Sequence, residues 1–336
     1  MNKPNNELRK ILIIRLGAIG DVVHSTIMPQ SIKEKHPDCE IHFLTADFIA
    51  PLIENDPNIA KVIPYDNKPK FKLLYFIKLG LALKKEKYDC IISLTNSLKN
   101  IIISTLAKPK FKQKRIKAGI HSVDTYFNTA KFLFKDIEKP KNLNLFIDEE
   151  IKNDISKQVT KYPRPYTVIS PGGDNDKERQ GRIWKNDYWI EFGNKITDKY
   201  GGTVFVCGSK GEQEAHKQYI AINNSVLCSG KLSLSESVAL FSLADVFISG
   251  DSGPLHMASA LGIKTIAIMG STSPESCSPF GENGVYIEPT TECKYCGQKK
   301  CDKITDEEIY TPCTSSITPD MVLNLIEDKK LLTPIV

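Results

Sequence analysis

Short runs of β-branched and apolar residues end in glycine-bearing turns that lead into helical segments, and they do so in both halves of the chain. Lys10–Leu16 is the first such run, followed by Gly17-Ala18-Ile19-Gly20-Asp21. Tyr166–Ser170 enters Pro171-Gly172-Gly173, and Thr203–Cys207 enters Gly208-Ser209. Val246–Ser249 enters Gly250-Asp251-Ser252-Gly253-Pro254, and Lys264–Met269 enters Gly270-Ser271-Thr272. Apolar runs without polar alternation are strands buried on both faces. Their alternation with helices predicts parallel sheets. The expected fold class is α/β, with two Rossmann-like domains facing a central cleft. Further strands are expected at Glu40–Leu44, Ile59–Ile63, Asp89–Leu94 and Lys114–Gly119. Helices are expected from about Val22 to Lys35 and over Leu73–Lys87, Asn186–Tyr200, Ser235–Leu243, Leu255–Leu261 and Ser315–Leu332.

The 336 residues fit two domains at ~150 residues each. The polar stretch 136–164 contains Pro140 and Pro163 and is the expected inter-domain region, although Asn144–Thr160 can hold a helix. The domains are set at 1–160 and 161–336, with the last helix free to pack back on the first. A hydrophobic fraction of 41% with 25% charged residues argues against a disordered, collagen-like or polytopic membrane chain. No apolar run reaches the ~18 residues of a membrane span. Arg15 and Asp21 interrupt the first apolar run, unlike a signal peptide. The expectation is a cytoplasmic protein.

The net charge of +5 hides an asymmetry: residues 61–135 hold 17 Lys plus Arg against 4 Asp plus Glu. The densest run is Lys108, Lys110, Lys112, Lys114, Arg115 and Lys117. It reads either as a solvated face or as a surface for an anionic partner. No nucleic-acid motif accompanies it, so an anionic lipid headgroup or phosphorylated glycolipid fits better.

Glycine turns at the C-terminal edge of a parallel sheet bring backbone N–H groups to a ligand. Asp21, at the start of a helix, is either a cap favoured by the macrodipole or a general base. Asp251, Ser252 and Gly253 suit a sugar and a pyrophosphate, and His256 lies one turn further, to reach that ligand or to pack. Gly172 and Gly173 with Arg182 form a second anion turn, with Lys177 and Arg179 readable as ordinary loop charges. Gly208 and the hydroxyls of Ser271 and Thr272 complete the set on the second half. Cys293, Cys296, Cys301 and Cys313 follow C-x2-C-x4-C-x11-C. They read as a closed structural zinc or iron site or as free thiols.

These residues resemble glycosyltransferase family 9, the heptosyltransferases of lipopolysaccharide core assembly. The match follows motif order over nearly the whole chain and is most specific at 250–262. The resemblance implies a GT-B fold and inverting transfer of heptose from ADP-L-glycero-D-manno-heptose to a lipid A–Kdo core acceptor. It makes Asp21 the general base, and Asp251, Ser252 and Gly253 the donor turn, with His256 in that motif. It places the acceptor on the first domain, where Arg15, Gly20, Lys112, Lys114 and Arg115 are the expected contacts. The family's Lys-x-Trp is here Arg182-Ile183-Trp184, which keeps the charge and changes its geometry. Some members carry a similar cysteine cluster. No catalytic cofactor is expected, because positive side chains and a helix N-terminus can stabilise the leaving phosphate. The expected partners are a nucleotide sugar, an anionic glycolipid and, peripherally, the cytoplasmic face of the inner membrane, but no nucleic acid. Alternatives are a family member using another nucleotide sugar or a protein acceptor, a non-catalytic nucleotide-sugar-binding protein, and a GT-B epimerase.

Overall fold

The computed structural model describes residues 8–172, 180–298, 300–304 and 310–334. The chain divides into two compact units, residues 1–146 and 147–336.

The first unit alternates strand and helix. In chain order it contains β1 (Lys10–Ile14), α1 (Ile19–Ser25), α2 (Ile27–Lys35), β2 (Glu40–Ala46), β3 (Lys61–Tyr65) and α3 (Lys72–Lys84). Then come β4 (Cys90–Ser93), α4 (Leu98–Leu106), β5 (Phe111–Lys114) and α5 (Ser122–Leu133). The strands form one parallel sheet in the order β3-β2-β1-β4-β5, with Ile13 opposite Phe43 and Ile92. Strand order reverses between β1 and β4, so the turn after β1 sits where open α/β sheets bind ligands. Ile11–Ile14 of β1 are completely buried, as an apolar central strand must be.

Two local expectations change here. The helix expected over 22–35 is interrupted at Thr26. The Ser25 and Thr26 hydroxyls bond back to the Val22 and Val23 carbonyls, and Pro29 has no N–H to continue the ladder. The strand expected at 114–119 lies earlier, at Phe111–Lys114. After it, the Arg115 N–H takes the Ser93 carbonyl and the Ile116 N–H turns to Thr129 Oγ1 on α5, leaving the sheet.

The second unit begins with α6 (Glu149–Val159), capped by Asp148, which accepts from the Glu150 and Ile151 N–H groups. A boundary at 160 would leave this helix in the first domain. Its packing against the helix 234–242 and the burial of Ile155 and Val159 put it with the second. The unit continues with β6 (Tyr166–Ser170), α7 (Asn186–Tyr200), β7 (Thr203–Val206), β8 (Ser225–Leu227), α8 (Leu234–Ser242) and β9 (Val246–Gly250). It ends with α9 (Gly253–Ala260), β10 (Thr265–Ile268), α10 (Pro274–Cys277), β11 (Gly284–Ile287), α11 (Pro312–Ser315) and α12 (Pro319–Asp328). Its parallel sheet runs β11-β10-β9-β6-β7-β8, and order reverses between β6 and β9.

The core gathers Trp184, Trp189, Phe192 and Ile196 against Ile248, Ile266 and Ile268 of the sheet. The tail is two helices, not one, because Pro319 starts a new helix behind a Thr318 cap. Val322 and Ile326 of α12 join this core, against α7 and β11. Trp184 Nε1 donates to the Ile317 carbonyl at 2.7 Å, tying the tail to the segment that follows Arg182. Among the described residues, no helix is long and apolar enough to cross a membrane.

Candidate functional site

At the first unit's switch point, the chain leaves β1 through Arg15 and Gly17. The φ of +148° at Gly17 is one that residues with a Cβ rarely adopt. Asp21 stands in the first turn of α1, yet the helix has no side-chain cap bond at Ala18. The carboxylate is engaged elsewhere. Tyr126 Oη of α5 donates to Asp21 Oδ1 at 2.7 Å. The Arg15 guanidinium forms an ion pair with the other oxygen. Burial, with the Asp21 charge beside it, raises the Tyr126 hydroxyl well above the ordinary tyrosine range, so it remains a protonated donor. The Arg15 side chain is nearly enclosed, whereas that of Asp21 is 35% exposed. The result is a carboxylate aimed by two donors with one side open to solvent.

The other first-unit residues separate. Gly20 is buried within α1. Arg115 leaves the end of β5 at the same sheet edge, and its charge reaches Tyr126. Lys114 is exposed at the last position of β5. Lys112 turns away: its ammonium bonds Thr105 Oγ1 at 3.0 Å, near the C-terminal end of α4 and hence the opposite sheet edge. Lys110 likewise pairs with Asp89 at 2.6 Å, just ahead of β4.

The second unit builds its site around Asp251, which is 4% exposed. His256 Nε2 lies 3.2 Å from Oδ1, and Arg182 Nη1 lies 3.2 Å from Oδ2. Burial pushes this carboxyl up. His256, Arg182 and the Thr272 hydroxyl together outweigh it and hold the group below the usual carboxylate range. His256 is thus placed on Asp251. Ser252 caps α9 through the Leu255 N–H and shares a 2.9 Å hydroxyl contact with Ser249, which donates to the Ser170 carbonyl. With Pro254 lacking an N–H, Gly253 is the donor this turn leaves for a ligand.

Two other glycines of these turns make room for protein backbone. A Cβ on Gly250 would meet the Arg182 carbonyl at 2.3 Å, and one on Gly270 the Gly181 carbonyl at 2.1 Å. Segment 181–182 therefore lies directly on the ends of β9 and β10. The Ser271 N–H donates to the Gly181 carbonyl at 2.8 Å, which locks it there and buries Ser271. This packing delivers the Arg182 guanidinium to Asp251.

Gly172 has φ +84°, and its carbonyl accepts from His216 Nε2 at 2.9 Å. His216 Nδ1 meets Ser229 Oγ at 2.6 Å. A Cβ on Gly208 would stand 2.6 Å from the His216 ring, so Gly208 makes room for the histidine that joins the turns after β6 and β8. Sequence reasoning missed Tyr126 and His216, since no local pattern marks either. Gly173, Lys177 and Arg179 lie outside the described residues.

Of the four cysteines, Cys293 and Cys301 lie near enough to Cys313 for their charges to act on it. Cys296 is exposed, Cys313 Sγ is 3.2 Å from Thr311 Oγ1, and Cys293 faces the Lys303 ammonium. Among the described residues no group of three or more His, Cys, Asp or Glu is arranged for a metal.

Known proteins agree on one relationship. The family model described as glycosyltransferase family 9 (heptosyltransferase) matches residues 76–304. The lipopolysaccharide core heptosyltransferase OpsX of Haemophilus influenzae is 26% identical over 297 residues, 81% of this chain and 82% of that protein. The solved E. coli ADP-heptose lps heptosyltransferase II superposes with a TM-score of 0.75 at 21% identity, over 96% of this chain and 98% of the other. A family 9 glycosyl transferase from Veillonella parvula superposes with a TM-score of 0.82 at 16% identity, over 98% and 99%. The shared fold is GT-B.

Proposed function

The chain belongs to glycosyltransferase family 9 and is a glycosyltransferase, and from that premise we propose that it moves a heptose from ADP-L-glycero-D-manno-heptose to a lipid A–Kdo core acceptor. OpsX and the E. coli protein named above are heptosyltransferases of lipopolysaccharide, which supports heptose transfer in core assembly. The observation that carries the chemistry is the Asp21 carboxylate, held by Arg15 and Tyr126 and open on one side.

In this reading the acceptor hydroxyl gives its proton to Asp21 as its oxygen attacks the anomeric carbon. The new C–O bond forms as the bond to the donor phosphate breaks, with inversion. The electron pair leaves on the terminal phosphate of ADP. The Arg182 guanidinium and the Gly253 N–H face that developing charge, as fixed donors that need no reorganisation. Asp251, fixed by His256 and Arg182, takes the donor's sugar hydroxyls. Lys114 and Arg115 supply positive charge for an anionic glycolipid, while Arg15 holds Asp21. The enzyme works as a cytoplasmic, peripheral protein of the inner membrane.

The test combines binding and turnover. ADP, UDP, GDP and CMP are titrated calorimetrically, followed by ADP-heptose, and ADP release is then measured with and without a Kdo-lipid acceptor. Selective binding of ADP and ADP-heptose, with release dependent on acceptor, is the expected result. Preference for UDP or GDP overturns the donor. Donor consumption without acceptor overturns the transfer.

A further inference from the structure

The loops leaving the C-terminal ends of β2, β3, β4 and β5 share one edge of the first unit's sheet, the edge that also carries Asp21. Those loops and the helix turns that follow expose large apolar side chains. Phe48 follows β2, and Phe71 and Leu73 follow β3, at 67% and 61% exposure for the latter two. Leu98 opens α4 at 73%, and Ile120 lies between β5 and α5 at 71%. None belongs to the unit's core.

Lysines and an arginine alternate with them: Lys68, Lys70, Lys72, Lys99, Arg115 and Lys117. None of these six pairs with a carboxylate of a described residue. Lys70 leans over the Phe71 ring at 5.9 Å, and Lys99 over the Tyr65 ring at 5.2 Å. Of the acids in these loops, Asp47, Asp56 and Asp66 each accept from a neighbouring backbone N–H, of Phe48, Asn58 and Lys68 respectively, and Glu54 is exposed. The densest basic run of the sequence is not the centre of this surface, because Lys110 and Lys112 are held at the other edge.

We propose that this rim is a docking surface for an anionic phospholipid bilayer, with Phe71, Leu73 and Leu98 as shallow apolar anchors and the lysines on the headgroups. Exposed apolar side chains set directly beside lysines, as Phe71 and Leu73 are beside Lys70 and Lys72 and Leu98 is beside Lys99, suit a fluid interface better than a packed protein contact. Unpaired ammonium groups on one edge match a negatively charged leaflet. The proposal deepens the reading above, on which it rests for the lipid-borne acceptor: docking brings the Asp21 edge to the headgroup plane where that acceptor lies.

The test is co-sedimentation of the full chain with vesicles of phosphatidylglycerol and phosphatidylcholine, or of phosphatidylcholine alone. The unaltered protein is expected on the anionic vesicles and to be released by salt. Phe71→Ser combined with Leu73→Ser, and separately Leu98→Ser, should lower that partition about tenfold and several-fold respectively. Lys70→Gln with Lys72→Gln should weaken binding and flatten its salt dependence. Because these side chains are exposed, melting temperatures should stay unchanged, as should turnover of a deacylated, water-soluble acceptor. Equal partition onto both vesicle types, or anionic-vesicle binding by Phe71→Ser/Leu73→Ser equal to that of the unaltered chain, overturns the proposal. Absence of transfer to any acceptor, with vesicle binding intact, instead overturns the assigned reaction and leaves the docking surface standing.

Discussion

Each unit places an aspartate just beyond a strand at the point where strand order reverses, and each of these aspartates faces an arginine. Asp21 keeps one side open and is held by Arg15 and by a tyrosine that cannot release its proton near neutrality. Asp251 is enclosed among His256, Arg182 and Thr272, and its carboxyl lies below the ordinary range. The same residue type next to the same charge therefore serves two purposes. An open, aimed carboxylate can receive a proton from an arriving hydroxyl. A buried one, set between a histidine and an arginine, is a fixed acceptor that organises its neighbours. Solvent access, more than charge, separates the two.

The largest effect should come from exchanging the open carboxylate. Asp21→Asn keeps the shape and removes the base, so turnover should fall by about 10²–10⁴-fold while calorimetric donor affinity stays nearly unchanged. Unaltered turnover would remove the distinction between the two aspartates. Asp251→Ala should act the other way, weakening donor binding at least tenfold. It should also cost about 1–3 kcal/mol of stability in denaturant unfolding, because His256 loses a buried partner. The solvent-open side of Arg182 keeps that cost moderate.

Tyr126→Phe removes one charge-assisted hydrogen bond from Asp21. A fall in kcat of about tenfold is expected, with a shifted pH–rate profile and an unmoved donor KM. A change confined to melting temperature would make Tyr126 purely structural. The smallest effect concerns acid stability. The folded Asp251 carboxyl lies below its ordinary value of 3.8, so its contribution is complete above that value and is lost as pH falls through the folded one. Below about pH 4 the unaltered protein should therefore lose melting temperature more steeply than Asp251→Asn. Parallel curves would show that the enclosing groups contribute no net stabilisation.

Local order in the chain was enough to place much of this molecule. The strand at Tyr166–Ser170 and the helix at Asn186–Tyr200 lie where their apolar patterns put them. The helix expected at Ser235–Leu243 starts one residue earlier, behind a Ser233 cap that closes a capping box with Glu236. The edge strand β5 was misplaced because lysines alternate through it and obscure the apolar signal. Asp21 and Asp251 were legible as candidates, since a glycine turn between strand and helix is a local signature. Their different surroundings were not.

What the sequence determined alone is the set of elements and the sheet edge on which the acidic turns emerge, because periodicity and turn chemistry act within a few residues. What only the tertiary structure decided is which groups meet there. Tyr126 reaches Asp21 across 105 residues of chain. Arg182 reaches Asp251 because Gly250 and Gly270 admit its backbone. His216 joins the turns after β6 and β8 only because Gly208 leaves room. The four cysteines have a metal-like spacing, yet among the described residues no group of three or more is arranged to hold a metal. Spacing along a chain limits which side chains can meet, but packing settles which of them do.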